Sequence, residues 1–318
     1  MGVRDIQKVG VLGAGIMGHG IAMSFVMEGF PVTLYDVNQG VLDVASHHIE
    51  EGLRLFADSG LLDHDRITPS LERLSTTLDL KEAVAESDFV VEAAPEDLTV
   101  KQELFERMEA LCRPEAILAS NTSSLTLKGI GQRVKNKGRL VITHWFNPPH
   151  IVPTVEVVKG EETTEETLDT AYDLLVRIKK VPVKIHGELP GFLVNRVQIA
   201  MAREILALCD AGIATPEDID NAIKGSIGFR LASIGPLLTM DLAGLGLWLR
   251  VCENLLPEIS SSTESPKALK ELVDKGYDGI KTGRGFYDYS TDFTKEGLDE
   301  AIKRRDREFL GRLKNLYR

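Results

Sequence analysis

Residues Lys8–Gly18 read KVGVLGAGIMG, and this short run restricts the fold more than any other feature of the chain. A β-rich segment leads into Gly13-x-Gly15-x-x-Gly18, and an amphipathic helical pattern, Met17–Glu28, follows at once. The three glycines have separable roles. Gly13 permits a tight turn, Gly15 lets the backbone approach a pyrophosphate, and Gly18 lets the helix pack closely on the strand. Ile16 and Met17 complete the loop. The helix start offers free N–H groups and the positive end of its dipole to phosphates. Asp36 closes the next β-rich run, VTLYD, where its carboxylate can accept from the hydroxyls of an adenosine ribose. Val37, Asn38 and Gln39 carry no cation for a 2′-phosphate, so the pattern points to NAD rather than NADP as cofactor.

The alternation continues through the first half. Lys8–Leu12, Val32–Tyr35, Phe89–Glu92, Ala116–Ser120 and Leu140–Trp145 read as buried strands, separated by segments of helical period such as Thr99–Cys112. Strands alternating with helices predict a parallel sheet covered on both faces. Leu42–Leu62 is helical but more polar, and reads as a hairpin projecting from the sheet. After Val183–Ile185 the chain turns to helices: Phe192–Ala211, Pro216–Lys224, Pro236–Leu256, Pro266–Lys275 and Lys295–Leu316. Pro216 and Pro266 suit first helical turns, with Thr215 and Ser265 before them as N-caps. The expected architecture is α/β: a Rossmann-type doubly wound sheet over residues 1–188 that binds NAD, then an all-α C-terminal domain over 189–318.

Composition narrows the partners. A chain of 318 residues can bury two cores, and a net charge of −11 argues against nucleic acid. Cys112, Cys209 and Cys252 are far apart and lack CxxC or Cys/His spacing, so neither a disulfide framework nor a metal site is expected. The N-terminus enters a strand without a signal-peptide pattern, and no apolar run approaches a membrane span. The expectation is a cytoplasmic protein that acts on a small molecule.

Residues Val141–Val158 read VITHWFNPPHIVPTVEVV, two β-rich stretches around a turn-prone cluster. His144 and Glu156 stand equally far from His150, so the two side chains can meet if the stretches lie side by side. A carboxylate on one imidazole nitrogen fixes the tautomer and leaves the other nitrogen as a base. A lone histidine beside a strand is more often a packing residue, and His19, His47, His48, His64, His150 and His186 are read that way. No GxSxG or HExxH occurs, which removes support for a serine hydrolase or a zinc peptidase.

The segments SNTSSL (Ser120–Leu125), HWFNPP (His144–Pro149), the following VEVV, PGFLVNR (Pro190–Arg196) and GRGFYDY (Gly283–Tyr289) occur in this order over nearly the whole chain. In them the chain resembles the 3-hydroxyacyl-CoA dehydrogenase family. The resemblance implies that His144 is the general base and that Glu156 orients it. It implies that Ser123 and Asn195 hydrogen-bond the reacting oxygen and the neighbouring carbonyl. Glu96 and Lys101, in PEDLTVK, match positions near the nicotinamide ribose. It also implies that the helical domain binds substrate and forms a homodimer.

The implied reaction is oxidation of an L-3-hydroxyacyl-CoA to the 3-ketoacyl-CoA, as in fatty acid metabolism, and this is the first reading of the substrate. Two features depart from it. Family members often carry lysines on the hairpin that meets the nucleotide end of CoA, but Ala45–Ser75 has none. There Arg54, Arg66 and Arg73 are outnumbered by Glu50, Glu51, Asp58, Asp63, Asp65 and Glu72. In SIGFRLASIGPL, Gly228-Phe229-Arg230 looks more like relatives that oxidise small free acids, such as gulonate or carnitine dehydrogenases. Arg230 could clamp a free carboxylate, or form an ordinary interdomain ion pair. The charged tail Lys303–Arg318 is also similar to those relatives and to lambda-crystallin, whose likeness keeps a non-catalytic structural role as a further alternative. The combined presence of His144, Glu156, Ser123 and Asn195 argues against that role.

Overall fold

A computed structural model of the chain describes residues 2–290 and 294–316. Tyr317 and Arg318, at the end of the charged tail, lie outside the described residues. The strands are β1 (Val9–Leu12), β2 (Val32–Tyr35), β3 (Leu74–Thr77), β4 (Phe89–Glu92), β5 (Ile117–Ser120), β6 (Leu140–Trp145), β7 (Thr154–Val158) and β8 (Val181–Ile185). They form one sheet in the order β3-β2-β1-β4-β5-β6-β7-β8. The first six run parallel, in the doubly wound order. β7 then runs antiparallel to β6, and β8 runs parallel to β7.

β1, β2, β4, β5 and β6 are buried at every position, which is why they read as unbroken apolar runs. β3 was not expected. It is an edge strand, LSTT, partly exposed along its length, and carries no apolar pattern to reveal it.

Two helices shape the cofactor end of the sheet, α1 (Ile16–Met27) and α2 (Gln39–Asp58). The expected amphipathic character of α1 is not seen. Its core, from Gly20 through Val26, is buried, and its sequence is apolar on nearly every side. The reason is that α2 covers its outer face. α2 carries the stripe Leu42, Ala45, Ile49, Leu53 and Phe56, and begins at Asn38, whose side chain accepts from Gly40 N. The segment read as a projecting hairpin therefore starts with a helix packed on α1.

The chain forms two compact units, Met1–Phe192 with Lys303–Arg318, and Leu193–Ile302. The last turns of helix Lys295–Leu316 thus belong with the sheet, where Leu310 and Leu313 are buried. In the second unit the run Pro236–Leu256 is divided. Gly244, at φ 94°, separates helices Pro236–Ala243 and Leu245–Leu255. Thr215 caps helix Pro216–Ile223 as expected, accepting from Asp218 N. Ser265 does not cap the helix Lys267–Asp274. Pro266 takes the cap position, and Asp210 from helix Val194–Ala211 accepts the N–H groups of Lys267 and Ala268. A carboxylate from a neighbouring helix has replaced the local hydroxyl. Among the described residues no helix is long and apolar enough to cross a membrane.

The glycine loop is packed backbone on backbone. A Cβ on Gly18 would lie 1.6 Å from Gly13 O, and one on Gly13, at φ 96°, would lie 2.6 Å from Ala93 O. Gly18→Ala is therefore expected to cost roughly 2–4 kcal/mol, the upper part of the usual range for single changes. Thermal denaturation checks this, and a wild-type melting temperature would show that the loop can yield.

Candidate active site

The sheet fixes where a ligand can sit. Its strand order reverses at β1 and β4, and the crevice beyond their carboxyl ends is where doubly wound sheets bind ligands. The glycine loop leaves β1 at that point. Nothing lies within 4 Å of a Cβ placed on Gly15, so the helix start behind it has open space before it. Ile16, 71% exposed, and the partly exposed Met17 form the lip of the loop. Asp36 is fastened to the same loop: its Oδ2 accepts from Ala14 N at 2.9 Å and its Oδ1 from Asn38 N at 3.1 Å. The remaining lone pairs of that carboxylate can take ribose hydroxyls, and exposed Val37 offers an apolar surface beside them. The residues present fit a dinucleotide.

On the other side of β5, the antiparallel pairing of β6 and β7 sets His144 directly opposite Glu156. The carboxylate Oε2 lies 2.7 Å from His144 Nδ1. Glu156 is fully buried and His144 nearly so. With Nδ1–H held by the carboxylate, Nε2 carries the lone pair, and no described residue hydrogen-bonds it. Phe146 packs edge-on to the imidazole at 4.7 Å between centroids, and Phe192 lies at 5.4 Å. Phe192 holds φ 47°, a left-handed conformation that costs a non-glycine residue about 1–3 kcal/mol. Asn121 Oδ1 accepts from Trp145 N and fixes the end of β6 to the SNTSSL loop.

A network of carboxylates supports that loop. Glu92, which closes β4 with no exposed surface, accepts from Lys101 Nζ at 2.5 Å, Ser120 Oγ at 2.6 Å and Ala94 N at 2.7 Å. Lys101 also reaches Glu96 Oε2 at 3.4 Å and Ala94 O at 3.3 Å. Its side chain is 1% exposed, with Glu92, Glu96 and Ala94 O around the ammonium, so Lys101 is directed at these oxygens rather than at solvent. Glu96 Oε1 accepts from Thr122 Oγ1 at 2.6 Å, Ser124 Oγ at 2.9 Å, and the N–H groups of Ser123 and Ser124 at 3.0 and 3.1 Å. Burial alone would raise the Glu96 carboxyl, but the donors Thr122 and Ser124, the Lys101 charge and Ser123 N hold it below the ordinary glutamate range. For Glu92 burial prevails and pushes the carboxyl up.

The first unit therefore brings together the glycine loop with Asp36, the His144–Glu156 pair, and Ser123 with Glu96 and Lys101. Asn195, half-buried in the first turn of helix Val194–Ala211, and Arg230 belong to the second unit. Arg230 is exposed and makes no ion pair among the described residues. Sequence reasoning missed Glu92, although a glutamate ending an apolar strand, FVVE, was a visible signal. His150 is a packing residue as expected, its imidazole pushed down to about 3 by burial and by nearby His19, Lys180 and Arg305. No cluster of His, Cys, Asp or Glu suited to a metal ion occurs among the described residues.

Residues 8–188 match the NAD binding domain of 3-hydroxyacyl-CoA dehydrogenase, and residues 191–289 match its C-terminal domain. The chain belongs to the 3-hydroxyacyl-CoA dehydrogenase family. It is an NAD-dependent oxidoreductase of that type. It is 34% identical over 286 residues to a 3-hydroxybutyryl-CoA dehydrogenase of Clostridioides difficile, covering 89% of this chain and 100% of that one. It is 31% identical over 292 residues to 5-formyl-3-hydroxy-2-methylpyridine 4-carboxylate 5-dehydrogenase of Mesorhizobium japonicum, covering 91% and 93%. A crystal structure of an enzyme of the latter name superposes with a TM-score of 0.88 at 30% identity, covering 96% of this chain and 97% of that one.

Asp36→Ala is expected to raise the KM for NAD about tenfold, the scale of one hydrogen bond to a charged group. Initial rates at varied NAD check this, and an unchanged KM would place the ribose elsewhere.

Proposed function

We propose that the chain interconverts a secondary alcohol and the matching ketone, with His144 exchanging the hydroxyl proton. The observation that carries this reading is the buried 2.7 Å contact between His144 Nδ1 and Glu156, which leaves Nε2 as the nitrogen open to proton transfer. In the oxidative direction the carbinol O–H gives its proton to Nε2, and the carbinol C–H departs as hydride. Bound NAD supplies the hydride acceptor. The resulting imidazolium is stabilised by the Glu156 carboxylate. Ser123, fixed from below by Glu96, and Asn195 are proposed to hold the reacting oxygen and the adjacent carbonyl. In reverse, the imidazolium protonates the developing alkoxide.

For the substrate we favour a small free hydroxy acid over a CoA thioester. The thioester is supported by the names of relatives such as the Clostridioides difficile enzyme. The hairpin favours the free acid, because each of its arginines is already engaged. Arg54 pairs with Glu50 at 2.6 Å, Arg66 donates to Met27 O, and Arg73 donates to Pro69 O. What remains outward is an excess of acid, a poor partner for a nucleotide phosphate. Arg230, by contrast, is exposed and unpaired among the described residues, with a guanidinium of the kind that binds a carboxylate. The relative from Mesorhizobium japonicum has a name that specifies a free carboxylate and no thioester.

Apolar residues exposed in the second unit, among them Val197, Ile199, Leu242 and Leu249, support the homodimer that the family resemblance implies.

His144→Gln is expected to lower turnover roughly 10²–10⁴-fold, the usual contribution of a positioned base, while NADH binding is retained. Near-normal turnover in that variant would remove the mechanism. NADH oxidation measured with acetoacetyl-CoA beside a panel of free keto acids decides the substrate. Turnover confined to free acids, weakened by Arg230→Ala, supports the reading. Rapid turnover confined to the thioester overturns it and installs L-3-hydroxyacyl-CoA.

A further inference from the structure

Lys180, the residue before β8, is 8% exposed, and the proposed chemistry makes no use of it. Its ammonium donates to the carbonyls of Pro149 at 2.7 Å, Val152 at 3.1 Å and His150 at 3.3 Å, and lies 5.4 Å from the centroid of the Trp145 ring. All three carbonyls belong to residues 146–153, which join β6 to β7. The composition of that connection explains why it needs a cation. Pro148, Pro149 and Pro153 have no N–H, so the segment carries more acceptors than donors. Two of its N–H groups, on Ile151 and Val152, converge on the single carbonyl of Pro148. Carbonyls buried without donors are costly, and the ammonium's three N–H groups serve three of the segment's carbonyls.

Lys180 is itself firmly placed. Its N–H bonds to Leu175 O, and the next residue, Val181, donates to Pro153 O at the start of β7. The side chain therefore ties the β8 end of the sheet to the span between the two strands that carry His144 and Glu156. We propose that Lys180 is a positioning residue for the His144–Glu156 pair, its buried ammonium holding the connection that fixes how the two strands meet. The proposal rests on the reading of His144 as the proton acceptor.

The surroundings leave this role to Lys180. Glu28, the C-cap of α1, faces Lys179 at 3.0 Å, and His150 on the connection is uncharged at neutral pH. On helix Lys295–Leu316, Lys314 donates to Ser59 O and Arg305 pairs with Asp306 at 2.8 Å. Burial pushes the Lys180 ammonium down to about 7, with Glu28 acting against it.

A cavity of about 520 Å³ adjoins this site, with Lys180, His150, Ile151, Ile178, Phe56 and Leu313 in its wall. It gives the test a route. In Lys180→Ala, kcat is expected to fall roughly 10- to 100-fold, the scale of misplacing a reacting group by about 1 Å, with NADH affinity unchanged. Propylammonium, entering by the cavity, is expected to restore kcat saturably, whereas propanol at equal concentration does not. Rescue by both, or a wild-type kcat without amine, would reduce Lys180 to a packing residue and overturn the proposal. Lys180→Met keeps the volume without the charge and decides the matter if the alanine variant does not fold. It should show the same kcat loss, and a wild-type kcat would again overturn the role. His144→Gln is assayed alongside. If it stays active, the reading of the base has failed; if it is inactive while both Lys180 variants match wild type, only the role of Lys180 has failed.

Discussion

The reversal of strand direction at β7 is the constraint on which the candidate site depends. Six parallel strands deliver their carboxyl ends to one side of the sheet, where the glycine loop and Asp36 gather. A seventh parallel strand would need a long crossover and would bring its own loop to that side. β7 instead returns directly after an eight-residue connection, 146–153, and its register sets Glu156 against His144. Side chains alternate between faces of a strand, so a slip of one residue would turn Glu156 to the opposite face and leave a carboxylate buried without its partner. The penalty for such a slip is what makes the pairing specific.

The sequence permits this reversal because the connection is rich in proline, which resists helix, and the same prolines leave carbonyls in need of donors. A comparable exchange operates at β4 and β5. Glu92 is buried on the sheet with its oxygens engaged by Lys101, Ser120 and Ala94 N, and Lys101 passes the contact to Glu96. Glu96 in turn gathers Thr122, Ser123 and Ser124. A chain of opposite charges thus runs from the interior of the sheet to a hydroxyl at its carboxyl edge. In a low-dielectric interior such a chain is rigid when every member is satisfied, which suits a group whose position must be fixed before substrate arrives.

Much of this was legible in the amino-acid sequence, and the parts that were not share a cause. Fully buried strands announce themselves by composition, so β1, β2, β4, β5 and β6 were found within a residue or so of their ends. The glycine loop is legible because only glycine survives a backbone contact as close as that between positions 13 and 18. What depends on a distant partner is silent. The apolar outer face of α1 made sense only with α2 in place, β3 is an edge strand without pattern, and the cap from Asp210 comes from another helix. Lys101 and Lys180 look like surface lysines in sequence; the carboxylates at the end of β4 and the carbonyls of the β6–β7 connection explain their burial. His144 and Glu156 were legible as a pair because they lie near each other in sequence, and their separation of 2.7 Å follows from the strand register.

Charge distribution carries the argument from fold to substrate. With a net charge of −11, the chain repels anions from most of its surface, so recognition of an acidic substrate must come from a few cations that the fold leaves free. On the hairpin and in the sheet network the cations are consumed locally: Arg54 by Glu50, Arg66 and Arg73 by backbone carbonyls, Lys101 by Glu92 and Glu96, Lys180 by the connection. A guanidinium already holding a carbonyl would have to abandon it to bind a phosphate, and the exchange gains little. Arg230 faces no such exchange, because no ion pair occupies it among the described residues. A substrate with one compact carboxylate can be held by one such group, whereas the phosphates of a nucleotide tail call for several. The proposed chemistry at His144 is common to both substrates, so in that proposal the choice between them falls to the cations and not to the base.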